Sequence, residues 1–409
     1  MAKNINQLHK ISNSTSRSII GLMSGTSLDG LDIAHCVFQH SGPDTKVELL
    51  NFATIPYDIE IKSELRKLAS VRNVDLEHLC NVNSWLAKIH GEMILTCLSE
   101  WKVDPISIDL IASHGQTIFH SPKDPHSNHS KFSNSTLQIV DGDHLAVTTG
   151  IITISDFRQK HVAGGGEGAP LALYGDYCIF SKAGENRIML NIGGISNITC
   201  IYGDLDSSKA FASDLGPGNT LIDNWAREYF NVDCDHNSEI SLRGNVNHDL
   251  LAELKNHEFF HRPFPKTTGP ELFNLKFVQR ALDNLAKPCD DSGNLVKVDS
   301  VDILRTLTQL SADVIVSAIL SLDNYKSFRV YVSGGGAHNP LLMSEIRRGL
   351  QDQVDIGTTD ELGIPGDAKE AVLFAVLANE TVCGDPTEYS FGMKSKMPSV
   401  SMGKISFPC

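Results

Sequence analysis

Two stretches with the same pattern, far apart in the chain, constrain the fold most. In the first, the apolar run 19–23 leads through a polar turn into the apolar run 31–38. In the second, residues 187–191 lead through Gly193 and Gly194 into another β-rich run. Each pattern predicts a β-hairpin whose turn is made of small residues. Two such hairpins predict a duplicated architecture with one hairpin in each of two domains, both facing a shared cleft.

Both turns are suited to holding an anion. Glycines and small hydroxyl side chains allow several backbone N–H groups to converge on one negatively charged group. In the first turn, Asp29 and Asp32 follow closely, and a carboxylate beside a phosphate is a suitable partner for magnesium. An ordinary glycine-rich hairpin is the alternative interpretation. Neither turn matches a P-loop or a Gly-x-Gly-x-x-Gly segment followed by its helix, so those nucleotide-binding folds are not supported.

Chain length also favours two domains, because 409 residues are many for a single core. We place domain I at residues 18–150, joined by the C-terminal segment 385–409, and domain II at residues 151–384. Residues 1–17 contain no apolar segment typical of a secretory signal and are predicted to be a flexible leader.

Composition excludes several classes of function. The formal net charge of -14 argues against non-specific binding to nucleic acid or to an anionic membrane. The uninterrupted apolar runs are too short to cross a bilayer. Nine cysteines are scattered without a Cys-x-x-Cys pair, which predicts reduced thiols, no zinc site and a cytoplasmic protein.

Two further polar clusters follow predicted strands. The run 108–112 leads into Ser113, His114 and Gln116, and ligands of α/β sheets bind beyond the carboxyl ends of strands. His114 is expected either to touch a ligand or to bridge a loop, and both alternatives stay open. Asp156 and Arg158 precede the glycine-rich segment 164–171, where we expect the backbone to approach a ligand closely. Pairing of these two charges with neighbouring charges is the alternative.

Three more positions in the second half of the chain are candidates. Asp214 is predicted at a turn before the helix 221–230, where a turn or N-cap aspartate is the ordinary use. Three glycines between a strand and a helix would let a flat ring lie against the backbone, so residues 334–337 are the candidate adenine contact. Glu370 lies in the first turn of the predicted helix 367–383, where the helix dipole favours a carboxylate.

Taken together, the motifs resemble those of the anhydro-N-acetylmuramic acid kinases. The similarity runs from about residue 18 to residue 405, and the motifs occur in the order seen in that family. They are the eight segments 21–32, 113–117, 156–158, 164–171, 191–197, 214–219, 333–339 and 363–371. Any one of them is weakly specific, whereas all eight in order are highly specific.

The resemblance implies an α/β fold of two actin-like ATPase (ribonuclease H-like) domains flanking a nucleotide cleft, as in sugar kinases and Hsp70. It implies that 1,6-anhydro-N-acetylmuramate, ATP and water are converted, with magnesium, to N-acetylmuramate 6-phosphate and ADP in peptidoglycan recycling. The implied partner is this small anhydrosugar, with a homodimer as a further expectation.

The resemblance also assigns roles to residues. Asp214 is implied as the base that activates water, Glu370 as a second carboxylate near the sugar, and Asp29 as the magnesium partner. The implied ATP-binding residues are Gly25, Thr26, Ser27, Leu28, Asp29, Gly30, Leu31, Asp32, Gly193, Gly194, Asn197, Gly334, Gly335, Gly336 and Ala337. The implied substrate contacts are Ser113, His114, Gln116, Arg158 and Gly168.

Four residues depart from the family pattern near the expected cleft. Val140 stands where glycine is usual, His161 where aspartate is common, Ser213 where an aromatic residue is usual, and Pro270 where arginine is common. A kinase for another 1,6-anhydro sugar, such as levoglucosan, is therefore the alternative. An ATPase that uses its cleft as a conformational switch is disfavoured, because no segment remains for a peptide-binding domain.

Overall fold

A computed structural model describes residues 2–25, 27–121, 131–285, 298–351, 353–388, 391 and 397–409. The chain forms two compact units. The first unit comprises Met1–Ser181, Leu205–Ala210 and Ala368–Cys409, and the second comprises Lys182–Asp204 and Phe211–Asp367. Each unit is described separately below.

Twelve strands are present in the described residues. They are Arg17–Ser24 (β1), Gly30–Gln39 (β2), Lys46–Pro56 (β3), Leu110–Ser121 (β4), Ser135–Ile139 (β5), Thr153–Ser155 (β6), Asn186–Ile192 (β7), Ile195–Ile201 (β8), Phe211–Pro217 (β9), Phe328–Ser333 (β10), Asp355–Thr358 (β11) and Lys404–Ser406 (β12). The described α-helices are Ala2–Ser12 (α1), Ile59–Arg66 (α2), Leu76–Glu100 (α3), Gly142–Thr149 (α4), Phe157–Ala163 (α5), Ala172–Phe180 (α6), Thr220–Phe230 (α7), His248–Lys255 (α8), Leu275–Leu285 (α9), Ser300–Leu320 (α10), Pro340–Leu350 (α11) and Lys369–Cys383 (α12).

The two sheets repeat one topology. In the first unit the order is β12-β6-β4-β1-β2-β3, with β5 paired to β4. Strands β1, β2 and β3 are antiparallel, whereas β4 and β6 run parallel to β1. In the second unit the order is β11-β10-β7-β8-β9, again with three antiparallel strands followed by two parallel ones. The predicted duplicated α/β architecture, with one hairpin in each domain, is therefore confirmed.

Long helices cover the sheets and close the cores. Helix α3 begins where the Asp75 side chain accepts the N–H of His78. Helix α10 is capped by Asp299 and is largely buried in the core of the second unit. Among the described helices, α10 alone has the length and hydropathy of a membrane span, but 72% of its apolar window is buried. Its apolar character is that of a core helix.

The units differ from the predicted domains at several places, one of which is Leu205–Ala210 in the first unit. Strand β6 pairs in parallel with β4, so the first unit continues past residue 150. Helix α12 packs on β1 so closely that a side chain at Gly21 would overlap the carbonyl of Ala371, which places α12 in the first unit. The predicted flexible leader contains α1, whose Ile11 is buried.

Candidate active site

The turn between β1 and β2 is tied to the end of β3. The N–H of Leu28 donates to Gly25 O at 3.3 Å, and the N–H of Tyr57 donates to Asp29 O at 2.9 Å. Leu28 has a φ of 60°, and a side chain at Gly30 would overlap the carbonyl of Ile55. Of the predicted phosphate contacts, Ser27 lies in this turn as well, while Gly30, Leu31 and Asp32 begin β2. Thr26 lies outside the described residues.

A chain of buried hydrogen bonds holds the β1–β2 turn in place. The Ser24 hydroxyl donates to Gln116 Oε1 at 2.6 Å and lies 2.7 Å from the Tyr57 hydroxyl. Tyr57 OH lies 2.7 Å from His90 Nε2, and Gln116 Nε2 donates to Gly25 O at 3.2 Å. Because each hydroxyl donates once, Tyr57 donates to Ser24 and accepts from His90 Nε2–H. Burial lowers the pKa of His90 to about 3, which keeps the imidazole neutral.

Gln116 therefore orients the predicted phosphate-binding turn through its hydrogen bonds to Ser24 and Gly25. Tyr57 and His90 were not predicted from the sequence. A tyrosine at the end of a strand and a histidine inside a long helix carry no local signal of such a contact.

The structure brings His114, Arg158 and Gly168 together. The Arg158 Nε–H donates to His114 Nε2 at 2.9 Å, and an Nη1 hydrogen donates to Gly168 O at 2.8 Å. His114 is buried and its ring contacts Phe374, with centroids 4.6 Å apart. Burial, assisted by the positive charge of Arg158, holds the pKa of His114 well below its ordinary value. His114 thus acts as a neutral acceptor for Arg158. Ser113, also predicted, is fully buried in β4.

Glu370 belongs to the electrostatic environment of Arg158. It is an exposed residue in the first turn of α12, yet desolvation of the carboxyl group raises its pKa. Arg158 and Lys369 oppose this shift, whereas Asp32 adds to it. Lys369 itself lies 3.0 Å and 3.2 Å from the two carboxylate oxygens of buried Asp176, and this ion pair anchors the first turn of the helix.

In the second unit, the predicted glycine segments meet. Gly193 O accepts the N–H of Asn219 at 2.8 Å, and Gly194 O accepts the N–H groups of Gly218 and Thr220 at 2.9 Å and 3.1 Å. The β7–β8 turn is thereby joined to the N-terminus of α7, and the predicted Asn197 follows in β8.

The segment 334–337 closes against the same hairpin. Gly334 has a φ of 84°, and a Cβ there would lie 2.5 Å from Asn191 Oδ1. A side chain at Gly336 would overlap Ile192, whereas Gly335 has only Asn219 Nδ2 nearby, at 3.8 Å from a built Cβ. The N–H of Ala337 donates to Gly334 O at 3.0 Å. Residues far apart in the sequence thus form one small-residue surface in this unit.

Asp214 lies in β9 and not in the predicted turn. The turn-forming glycines follow it, and its backbone N–H donates to Lys266 O at 2.9 Å. Its Oδ2 accepts the N–H of Thr268 at 2.9 Å. Burial raises the pKa of Asp214 to about 6; the Thr268 N–H opposes this shift and the charge of Glu271 adds to it. A carboxylate with a pKa near neutrality is suited to accept a proton from water.

Sequence reasoning missed Glu271 as a neighbour of this aspartate. The two residues are 57 positions apart, and only the path of the segment 266–271 beside β9 brings them together.

Three of the four departures from the family pattern have structural consequences. Val140 adopts a φ of 91°, a conformation that glycine accepts without strain, and its N–H donates to Asn83 Oδ1 at 2.9 Å. Ser213 Oγ accepts the N–H of Lys266 at 2.9 Å and so holds the segment beside Asp214. His161 Nδ1 accepts the N–H of Gly168 at 2.9 Å. Nothing in the structure explains Pro270.

The residues of the first turn fit magnesium held through a nucleotide. Among the described residues, no group of three or more His, Cys, Asp or Glu side chains is placed to hold a metal ion. Asp29 is exposed on the turn, and Asp32 Oδ1 accepts from Thr54 Oγ1 at 2.6 Å. Magnesium in kinases is commonly bound by one or two carboxylates together with substrate phosphates, and Asp29 satisfies that requirement.

Comparison with known proteins shows that this chain belongs to a class of enzymes, the kinases. A family model described as anhydro-N-acetylmuramic acid kinase matches residues 17–406. A protein of that name from Pseudoalteromonas atlantica is 47% identical, with 100% of each chain covered. Another from Caldanaerobacter subterraneus is 38% identical over 98% of this chain and 100% of the relative. The chain belongs to the anhydro-N-acetylmuramic acid kinase family.

One similar solved structure has low sequence identity. The activator of the 2-hydroxyisocaproyl-CoA dehydratase from Clostridium difficile, with bound ADPNP, is 11% identical, covers 89% of this chain and 95% of its own, and has a TM-score of 0.42. The sequence relatives and the family model confirm the predicted family and enzyme class. The individual site residues stay predictions.

Proposed function

We propose that this protein is an ATP-dependent kinase that opens the 1,6-anhydro bond of 1,6-anhydro-N-acetylmuramate and phosphorylates O6. The products would be N-acetylmuramate 6-phosphate and ADP, in a cytoplasmic step of peptidoglycan recycling. The observation that carries the proposal is Asp214, a partly buried carboxylate of raised pKa held by the Thr268 N–H in a chain that matches this family along its length.

Asp214 supplies the base for the hydrolytic half of the reaction. It takes a proton from water while the oxygen of that water bonds to the anomeric carbon. The bond between this carbon and the bridging oxygen breaks, and the bridging oxygen attacks the γ-phosphorus as ADP leaves. An inverting glycosidase would need a carboxylic acid to protonate the leaving oxygen. Here the phosphoryl group captures that oxygen, so one base suffices.

Arg158 supports the choice of sugar. Two of its five N–H hydrogens are used by His114 and Gly168, and among the described residues no acceptor is placed for the other three, which can serve a ligand. A guanidinium group binds carboxylates well because it can donate two parallel hydrogen bonds. 1,6-Anhydro-N-acetylmuramate carries a lactyl carboxylate, whereas levoglucosan has none. The names of the relatives also do not favour levoglucosan.

Each unit, taken by itself, contains a glycine-rich turn suited to part of an ATP molecule. The β1–β2 turn with Gly25, Ser27 and Asp29, and the β7–β8 turn with Gly193 and Gly194, are suited to phosphate, and residues 334–337 are suited to adenosine. Magnesium, when bound with the nucleotide, would neutralise charge that develops on the transferred phosphoryl group. Asp29 is the residue proposed to hold it.

The test is an ADP-release assay with ATP and magnesium. It compares 1,6-anhydro-N-acetylmuramate, levoglucosan and N-acetylmuramate as acceptors, for the wild type, Asp214→Asn and Asp299→Asn. The control Asp299 is the N-cap of α10, where asparagine caps equally well. We expect turnover on the first sugar alone, lost in Asp214→Asn and kept in the control. Turnover on levoglucosan would reassign the substrate, and sugar-independent ATP hydrolysis that survives Asp214→Asn would refute the kinase proposal.

A homodimer stays an expectation from the resemblance. Light scattering after size-exclusion chromatography would measure the molar mass, and a mass of one chain at assay concentration would contradict it.

A further inference from the structure

The guanidinium of Arg158 is anchored on two sides, and one of these anchors depends on His161. His114 accepts the Nε–H of Arg158 directly, as described above. The second acceptor is the carbonyl of Gly168, whose oxygen lies 2.8 Å from Arg158 Nη1. A carbonyl in a glycine-rich loop is a precise acceptor only when the loop itself is held in place.

His161 holds that loop. It lies one helical turn after Arg158 in α5, and its Nδ1 accepts the N–H of Gly168 at 2.9 Å. The imidazole ring lies against Gly166, where any side chain would overlap three ring atoms. Gly168 has a φ of 84°, a backbone conformation that favours glycine. The loop therefore requires glycine at 166 because of the ring and at 168 because of its backbone conformation. The packing of the ring and its hydrogen bond thus act on the same few residues.

The protonation state of His161 is determined by its surroundings. The residue is 1% exposed, and Tyr174 meets the ring edge-on with centroids 5.9 Å apart. Burial, followed by the positive charge of Arg158, lowers the pKa of His161 to about 4. The ring is therefore neutral at neutral pH, with its proton on Nε2 and a lone pair on Nδ1. Only this form can accept the Gly168 N–H.

We propose that His161 is a positioning residue for Arg158, acting through Gly168. The imidazole fixes Gly168, the carbonyl of Gly168 fixes the guanidinium, and the remaining N–H groups of Arg158 are presented in one orientation to an anionic group of the substrate. The inference rests on the proposed function only in taking Arg158 as a contact of the sugar. It assigns the histidine at this position a part in sugar affinity, through Arg158, and none in ATP binding.

The test compares His161 variants that keep or lose an acceptor for the Gly168 N–H. His161→Phe keeps a ring and removes the acceptor, and His161→Leu does the same with a smaller side chain should the phenyl ring not be accommodated. His161→Asn keeps an acceptor, because its Oδ1 occupies about the place of Nδ1. We measure KM for sugar and for ATP, kcat and thermal stability for each variant, alone and combined with Arg158→Lys.

Loss of one buried acceptor should weaken sugar binding about tenfold. We expect His161→Phe or His161→Leu to raise the sugar KM by that factor, with kcat and the ATP KM unchanged within about twofold, and His161→Asn to restore the wild-type sugar KM. In the Arg158→Lys background the same substitutions should add less than about twofold, since residues that act through one another are not additive.

A structural role without positioning would give a different pattern. Equal losses in the asparagine and apolar variants, a sugar effect that is additive with Arg158→Lys, or an unchanged sugar KM in all variants would each overturn the inference.

A readout that needs no turnover separates this inference from the proposed function. The resonance of the Arg158 Nη1 hydrogen that donates to Gly168 O, identified by its loss in Arg158→Lys, should be protected from solvent exchange in the wild type and His161→Asn but not in His161→Phe or His161→Leu. Absence of sugar turnover in the wild type would refute the proposed function, whereas unchanged protection in every variant would refute the positioning role.

Discussion

Asp214→Asn is expected to inactivate the protein and to stabilise it at the same time. In the folded protein the pKa of Asp214 is about 6, whereas its ordinary value is 3.8. A raised carboxyl pKa means that the folded state disfavours the charged form. At pH 7.5 this cost is up to about 3 kcal/mol, because each unit of pKa shift corresponds to about 1.4 kcal/mol. Asparagine is neutral at all pH values and avoids the cost.

The difference in the free energy of unfolding between Asp214→Asn and the wild type should depend on pH. As the pH falls through 6, the folded protein takes up a proton on Asp214 and the cost is relieved. At pH 5.0 the advantage of asparagine should therefore fall to about 1.6 kcal/mol, and it should disappear below about pH 4. The amide oxygen of asparagine can still accept the Thr268 N–H, so the hydrogen bond that holds the side chain is retained.

The assay is urea unfolding of both proteins at pH 7.5 and pH 5.0, with turnover measured on the same samples. We expect kcat to fall by a factor of about 10² to 10⁴, the usual contribution of a general base. A variant that is less stable than the wild type at pH 7.5, or a stability difference that is equal at the two pH values, would show that the carboxylate is not under the strain that the structure implies. Asp299→Asn is the matched control and should change neither quantity.

Three further outcomes are expected. Glu271→Gln removes a charge that raises the pKa of Asp214. The acid limb of the pH profile of kcat/KM, expected near pH 6 in the wild type, should therefore move to lower pH. A limb that stays in place or moves to higher pH would contradict the interaction between Glu271 and Asp214. Gly334→Ala should destabilise the second unit by about 1–3 kcal/mol and weaken ATP binding, because φ is positive and the new methyl group meets a side-chain oxygen. Gly335→Ala should be close to neutral in urea unfolding, because a built Cβ there has only Asn219 Nδ2 nearby, at 3.8 Å. Lys369→Met removes one partner of a buried ion pair with Asp176 and should cost about 3–5 kcal/mol in urea unfolding. A loss below about 1 kcal/mol would show that the pair is not held in the folded state.

Sequence reasoning located the regular elements well where local signals were strong. In helix α3, Leu76–Glu100, a long amphipathic pattern follows a capping aspartate, and these two local signals together predict a helix. The two hairpins were predictable for a similar reason, since alternating apolar runs enclosed turns of small residues. Their repetition was enough to predict a duplicated architecture.

Features that depend on distant pairing were not predictable. Strand β6 has three residues, and only its pairing with β4 and β12 shows to which unit it belongs. Asp214 was predicted in a turn because Gly-Pro-Gly follows it, but pairing with β8 extends the strand up to Pro217. At the site, the hydrogen bond from Arg158 to His114 joins residues 44 positions apart and carries no local signal.

The division of the chain between the two units has a consequence for biosynthesis. The second unit lies inside the sequence of the first, and α12 and β12 follow it. A ribosome therefore completes the whole second unit before it delivers the helix that packs on β1 and the strand that pairs with β6. Domains generally fold as units in the order in which they emerge. The first unit is begun first and finished last, so the nascent chain must carry an uncovered face of its first sheet until translation has passed residue 383.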